Sequence, residues 1–226
     1  MDIPALFLAI ANSFLFSTTL VPLWLILFLV LIQLSDKGIF LVPSLLAVFF
    51  LSGIAVSWVA LPHIAFAVWA FGTFTTLILY ISLRKLPKRT LPKIFLQEQG
   101  YRILIGLALG IIAWLIGFFT AFPGGSAAIA TIVWALIALG GLRFATAKRS
   151  MEMGIGLLLV LAAPGIWLIA VNDSPVVPGI WAAGTILLAL AIGWLTDHTE
   201  GKEGKKVIAD GPIADSIAKP SNRLQQ

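Results

Sequence analysis

The side chains that could carry acid–base or metal chemistry are few and lie at the edges of apolar segments. The chain has ten acidic residues, two histidines and no cysteine. None of the acids falls deep inside an apolar run, and Glu152, at the start of one, comes closest. We expect Glu152 to complement a helix dipole or to pair with a neighbouring base. His63 and His198 are too far apart in the sequence to suggest a haem or zinc site.

Catalytic motifs are missing from the sequence as well. The absence of cysteine excludes disulfides, thiolate metal ligands and cysteine nucleophiles. The sequence contains no P-loop, HExxH or Gly-x-Ser-x-Gly motif and no carboxylate pair. We therefore predict no catalytic activity for this chain by itself, no bound cofactor and no metal. Proton pumping by the chain alone is also unexpected, because pumps use ionisable residues at membrane depth.

A cluster of polar side chains near the N-terminus is the densest within any apolar segment. Its members are Asn12, Ser13, Ser17, Thr18 and Thr19. In hydrocarbon such side chains must find protein partners, which predicts hydrogen bonds between helices. The alternative is a patch that lines the path of a ligand.

The composition places these residues in an integral membrane protein. Hydrophobic residues make up 60% of the 226 residues, and charged residues make up 11%. A helix that crosses a bilayer needs about 20 apolar residues. Such runs predict an all-α, polytopic transmembrane bundle of about seven spans, at about 4–33, 39–61, 64–83, 103–121, 126–142, 153–171 and 179–195. Pro22 and Pro164 are expected to bend the first and sixth spans.

The spans fall into two groups. A front group, 1–83, is followed by a basic linker, 84–102, whose Pro87 and Pro92 break helix and whose end suggests a short interfacial turn. A back group, 103–195, precedes a polar tail, 196–226, which is predicted to be disordered. Gly106 and Gly110 in the fourth span have the GxxxG spacing that allows close helix packing.

The positive charges predict the orientation of the bundle. All fifteen Lys and Arg residues fall in the loops 34–38, 84–102 and 143–152 or in the C-terminal tail, which lie on one side of a seven-span chain. By the positive-inside rule the N-terminus is outside and the C-terminus is cytoplasmic. The basic pattern therefore indicates orientation and attraction to anionic lipid headgroups, and not a nucleic-acid partner. Candidate headgroup or docking residues are Arg84, Lys85, Lys88, Arg89, Lys93, Arg102, Lys148 and Arg149.

The order of these segments resembles that of a known family. Three spans, a basic proline-containing linker and four spans with a short basic turn resemble the hydrogenase-4 component E family, whose back half is similar to the K subunit of respiratory complex I. The matching residues are Leu139, Gly140, Lys148, Arg149, Gly154 and Gly156. In that family the helix after the basic turn carries a buried glutamate in the ion path. Here the corresponding stretch, 156–165, has no acid, so the resemblance implies a scaffolding role beside an antiporter-like subunit.

Three functions remain open at this stage. The first is a non-catalytic accessory subunit of a multi-subunit energy-transducing complex, with other membrane subunits as partners. The second is a small permease or channel for an uncharged or weakly polar solute, with the Asn12 to Thr19 cluster and the Pro164 kink as its path. The third is a membrane assembly or anchoring factor. A bacterial inner membrane fits a cysteine-free polytopic chain of this kind.

Overall fold

A computed structural model describes residues 18–34, 38–84, 95–120, 126–172, 174 and 176–209. Within them the chain is all-helical. The helices are α1 (Leu20–Leu34), α2 (Gly38–Val56), α3 (Pro62–Arg84), α4 (Phe95–Phe119), α5 (Ala127–Ala145), α6 (Ser150–Val171) and α7 (Val176–Ala209).

Five of these helices are long and apolar enough to cross a membrane. The candidate spans are Pro62–Arg84, Gly100–Phe119, Ala127–Ala145, Ser150–Val171 and Val176–Thr196. The apolar parts of α1 and α2, Leu20–Gln33 and Phe40–Val56, are shorter. The protein is therefore an integral membrane protein built from helices, as its composition predicts.

The helices close into a ring when their packing partners are followed. Its order is α1, α2, α3, α7, α6, α5 and α4, and α4 returns to α1. Helix α1 also packs on α5, so the front and back groups of helices meet across the bundle as well as around it. Within their candidate spans α5 and α6 are each 61% buried, whereas α4 is 28% buried, so α5 and α6 form the centre and α4 lies at the periphery.

Three prolines lie within helices. Pro22 falls in the first turn of α1, where a backbone N–H has no helical acceptor, so it starts the described helix and does not bend it. Pro43 in α2 and Pro164 in α6 lie inside helices that continue past them. Helix α5 begins at an N-cap: the hydroxyl of Ser126 accepts a hydrogen bond from the backbone N–H of Ile129 at 3.3 Å.

Three helices extend beyond the apolar runs that predict them. Helix α4 begins at Phe95, so 95–102, expected as the end of a linker, are helical. Helix α5 continues to Ala145, and α7 continues to Ala209 through 196–209, which were expected to be disordered. Extending a formed helix fixes one residue for each new hydrogen bond, so moderately favourable residues suffice once a span has nucleated it.

Small residues bring the backbones of α5 and α6 into contact. A methyl group at Gly140 would meet the carbonyl oxygen of Gly156 at 3.1 Å, and one at Gly156 would meet the carbonyl oxygen of Gly140 at 2.8 Å and collide with the backbone of Phe144. The methyl group at Gly140 would also meet the Cβ of Leu159 at 2.8 Å and the backbone nitrogen of Val160 at 3.0 Å. The centre of the bundle is therefore packed backbone against backbone.

A second set of contacts joins the two groups of helices through aromatic rings. Trp181 of α7 lies against Gly165 of α6 and edge-on to Phe49 of α2, with ring centroids 6.4 Å apart. Phe49 in turn lies against Gly72 of α3. Because a ring fills the space of a missing side chain at both glycines, these four helices are held at fixed spacing.

Candidate functional site at the basic end of the bundle

One end of the bundle gathers four arginines and a lysine from helix ends and one turn, and we call it the basic end. Arg84 ends α3, Arg102 lies in the second turn of α4, Arg143 lies in the last turn of α5, and Lys148 and Arg149 form the turn before α6. Buried polar side chains at this end include Gln33, Arg102, Arg143 and Glu152. With Thr146, which ends α5, they form what we call the basic-end site.

Gln33 and Arg143 join α1 to α5 through reciprocal hydrogen bonds. The amide Nε2 of Gln33 donates to the carbonyl oxygen of Leu139 at 2.7 Å, and Nη1 of Arg143 donates to the carbonyl oxygen of Gln33 at 3.2 Å. Gln33 is fully buried and Arg143 is 1% exposed. The carbonyl group of Gln33 is among the last four of α1, which lack a donor within the helix and where a cation is favoured by the helix dipole. This pair, called here the Gln33–Arg143 joint, fixes the register of α1 against α5.

The GxxxG glycines of α4 make room for α1 beside this joint. A methyl group at Gly106 would meet Gln33 Cγ at 3.6 Å and Val30 Cγ2 at 3.8 Å, which is ordinary contact. At Gly110 it would meet Ile26 Cγ2 at 2.6 Å, which is too close. The close helix packing expected from this spacing is thus present, and the partner of the glycines is α1.

Arg102 connects α4 to the end of α5. Its Nη2 donates to the carbonyl oxygen of Thr146 at 2.7 Å, and the residue is 8% exposed. Thr146 ends the helix: its hydroxyl and its backbone N–H both donate to the carbonyl oxygen of Leu142, at 2.8 Å and 3.0 Å. The guanidinium of Arg102 is consequently held at a carbonyl beyond the helix, with its other N–H groups unused by that bond.

Glu152 closes the turn that leads into α6. Its Oε2 accepts a hydrogen bond from the backbone N–H of Lys148 at 3.2 Å, and the residue is 8% exposed. A carboxylate in the first turn of a helix stabilises the positive end of its dipole. The first of the two roles expected for Glu152 is therefore present.

The chemistry available at this site is recognition of anions. The described residues contain no group of three or more His, Asp and Glu side chains that could hold a metal ion. Guanidinium and ammonium groups donate hydrogen bonds to phosphate and carboxylate, and they do so best where their geometry is fixed. Arg102 is fixed in this way by its hydrogen bond to Thr146, and the residue is less buried than Arg143.

The other predicted site residues are dispersed. Thr18 and Thr19 are exposed in a turn before α1. Arg84 is exposed and lies 5.9 Å from the centre of the Tyr80 ring. The predicted residues that lie outside the described part of the chain are Asn12, Ser13, Ser17, Lys85, Lys88, Arg89 and Lys93.

The histidines do not join the site. His63 is exposed in the first turn of α3, at the opposite end from the basic-end site, as its position after a span predicts. His198 stacks on Trp194, with ring centroids 5.3 Å apart.

Sequence reasoning missed Gln33 and Arg143 as site residues. Arg143 was expected in a loop, because the apolar run ends at Leu142, but α5 includes it and α1 covers it. A usable signal was present in the sequence. Arg143 follows Leu139 by one helical turn, so a helix that continued past Leu142 would place Arg143 on the same buried face, where it would need a polar partner.

No protein-family model, curated protein or solved structure matches this chain.

Proposed function

We propose that the protein is a non-catalytic membrane subunit of a multi-subunit energy-transducing complex of the hydrogenase-4 or complex I type. In this proposal it has seven spans, an outer N-terminus and a cytoplasmic C-terminus, and it resides in a bacterial inner membrane. Its partners are other membrane subunits, and its basic linker contacts anionic headgroups.

The observation that carries the proposal is the direct contact of α5 and α6 at Gly140 and Gly156. A transport path through the bundle would need room between its central helices, and here their backbones touch. The Gln33–Arg143 joint adds α1 to the same centre. Such a rigid unit suits a part that holds neighbouring subunits in place.

The residues of the family resemblance support the energy-transducing context. Gly140 and Gly156 form the α5–α6 contact, and Gly154 lies against Ile192 of α7. Leu139 supplies the carbonyl that Gln33 binds. The resemblance therefore rests largely on residues that shape the α5–α6 hairpin.

The peripheral helices offer surfaces for such neighbours. Helix α4 exposes Leu104, Ile111 and Phe118, and α7 exposes Ile180 and Leu187. In a membrane these faces contact either lipid or the helices of other subunits.

The test is purification of the tagged protein from its native membrane in a mild detergent, followed by sizing and mass spectrometry of the proteins that accompany it. We expect antiporter-like and redox subunits to co-elute in fixed ratio. A Gly156→Leu variant, which forces α5 and α6 apart, should lose these partners. The matched Gly141→Leu variant, at a site in α5 where no atom lies within 4 Å of an added Cβ, should keep them. Elution of the wild-type protein as a lone monomer or homo-oligomer would contradict the proposal and favour the permease hypothesis.

A further inference from the structure

We propose that Arg102 and the α5–α6 turn bind the phosphate of an anionic phospholipid, whose acyl chains lie along the exposed face of α4. This inference concerns a lipid site on the single chain and is independent of the accessory-subunit proposal. It is carried by a fixed guanidinium that lies beside an exposed apolar helix face.

The guanidinium of Arg102 is held in a fixed position, which favours binding of an anion. Its side chain is more than nine-tenths buried, and its hydrogen bond to Thr146 holds it in one position. That bond uses one of the five N–H groups of the guanidinium.

Further cations lie close to this guanidinium. Lys148 is exposed and Arg149 is half-buried, and they follow Thr146 by two and three residues. They are therefore within about 11 Å of the carbonyl that holds Arg102, at about 3.8 Å per residue. The acids nearest in the sequence are Glu98, four residues before Arg102, and Glu152, which accepts a hydrogen bond from the backbone N–H of Lys148. Three cations and two carboxylates leave a net positive charge, which suits a phosphodiester.

The apolar half of the site is the surface of α4. Leu104 is 67% exposed, and Ile105 and Ile111 are exposed on the same helix, beginning two residues after Arg102. Tyr101, which is 63% exposed, marks the level where aromatic side chains meet headgroups. A free phosphate would use only the cations. An anionic phospholipid uses the cations and the adjacent apolar face together, which is why we assign the site to lipid.

The experiment measures lipid binding to the full chain by native mass spectrometry in a mild detergent. The probes are phosphatidylglycerol and phosphatidylcholine with identical acyl chains. We expect one phosphatidylglycerol to be retained in preference to phosphatidylcholine. Arg102→Gln should weaken this binding by about tenfold or more, as expected for loss of a hydrogen bond to a charged group. Arg84→Gln removes an exposed arginine at the same end, whose attraction for a headgroup is screened by solvent, and should weaken the binding far less than Arg102→Gln does.

A second variant distinguishes loss of lipid binding from loss of folding. Arg102→Lys keeps the charge and one donor for Thr146 but lacks the planar fork, so its affinity should lie between those of the wild-type protein and Arg102→Gln. Thermal unfolding followed by tryptophan fluorescence identifies any variant that is not folded.

Three results would overturn the assignment. Equal weakening by Arg84→Gln and Arg102→Gln would indicate diffuse surface charge. Equal retention of the two lipids would exclude recognition of the anionic headgroup. Displacement of phosphatidylglycerol by an equal concentration of glycerol phosphate would indicate a site for a free phosphate group, since the headgroup alone should bind far more weakly than the lipid.

Discussion

Replacing Gly156 by alanine should destabilise the bundle, although alanine is the better helix former. Gly156 lies in α6, where it faces the backbone of α5. A methyl group there would meet the Cα of Phe144 at 2.7 Å and would approach the backbone nitrogen of Phe144 more closely still. The matched control is Gly184→Ala in α7, where no atom lies within 4 Å of the added methyl group.

The size of the effect follows from these distances. Ordinary contact begins at 3.4 Å, so α5 must retreat from α6 by about 0.7 Å at Phe144 Cα and by more at its nitrogen. Overpacking of this kind costs about 1–3 kcal/mol, and the obstructing atoms belong to the backbone, which cannot rotate away. The higher helix propensity of alanine offsets about 0.5–1 kcal/mol of this loss of stability. We therefore expect Gly156→Ala to lower the free energy of unfolding by about 1 kcal/mol, within a range of about 0–2.5 kcal/mol, and Gly184→Ala to raise it by about 0.5–1 kcal/mol.

The assay is reversible unfolding in mixed micelles with increasing SDS, followed by tryptophan fluorescence. The two variants should shift the midpoint in opposite directions, Gly156→Ala toward lower and Gly184→Ala toward higher SDS. If both variants shifted the midpoint upward by similar amounts, α5 and α6 would not be in backbone contact, and the proposed rigid centre would have to be abandoned.

Three further predictions concern the remaining contacts. Arg143→Met should lower the free energy of unfolding by about 1–3 kcal/mol, because a buried carbonyl of α1 loses its donor, and unchanged stability in the same SDS assay would contradict the Gln33–Arg143 joint. Gly110→Ala should be less stable than Gly106→Ala, because the first meets Ile26 at 2.6 Å and the second fits; the reverse order in thermal unfolding would refute the packing of α4 on α1. Because the chain has no cysteine, Lys148→Cys and Ser174→Cys can each be labelled with a membrane-impermeant maleimide, and we expect labelling of the first only after the cytoplasmic side is exposed and of the second in intact cells. The opposite pattern would reverse the proposed orientation.

Much of the helical organisation could be predicted from the sequence. The apolar runs behind α3, α5 and α6 locate their helices to within a few residues, because transfer of a segment into hydrocarbon depends on its own composition. The helix ends were less predictable. Helix α4 begins at Phe95 and helix α7 ends at Ala209, well beyond the apolar runs that predicted these two helices, since an existing helix can grow into polar sequence.

The candidate site was only partly predictable. The charge and position of Arg102 made it a candidate headgroup or docking residue, and that role stays a prediction. Its fixed geometry could not be predicted, because it depends on the carbonyl of Thr146, 44 residues away. Gln33 and Arg143 were not identified, because neither residue type nor local spacing shows that α1 packs on α5.

The sequence by itself determined that this is an integral membrane protein of apolar helices, with its positive residues confined to predicted loops and the tail. These properties are sums over local segments, so they need no knowledge of neighbours. Only the tertiary structure decided that Gly140 meets Gly156, that Arg143 is buried and that Arg102 is fixed beside the apolar face of α4. Each of these depends on which helices lie side by side, and in a membrane that choice is made by close packing and hydrogen bonding between segments distant in the chain.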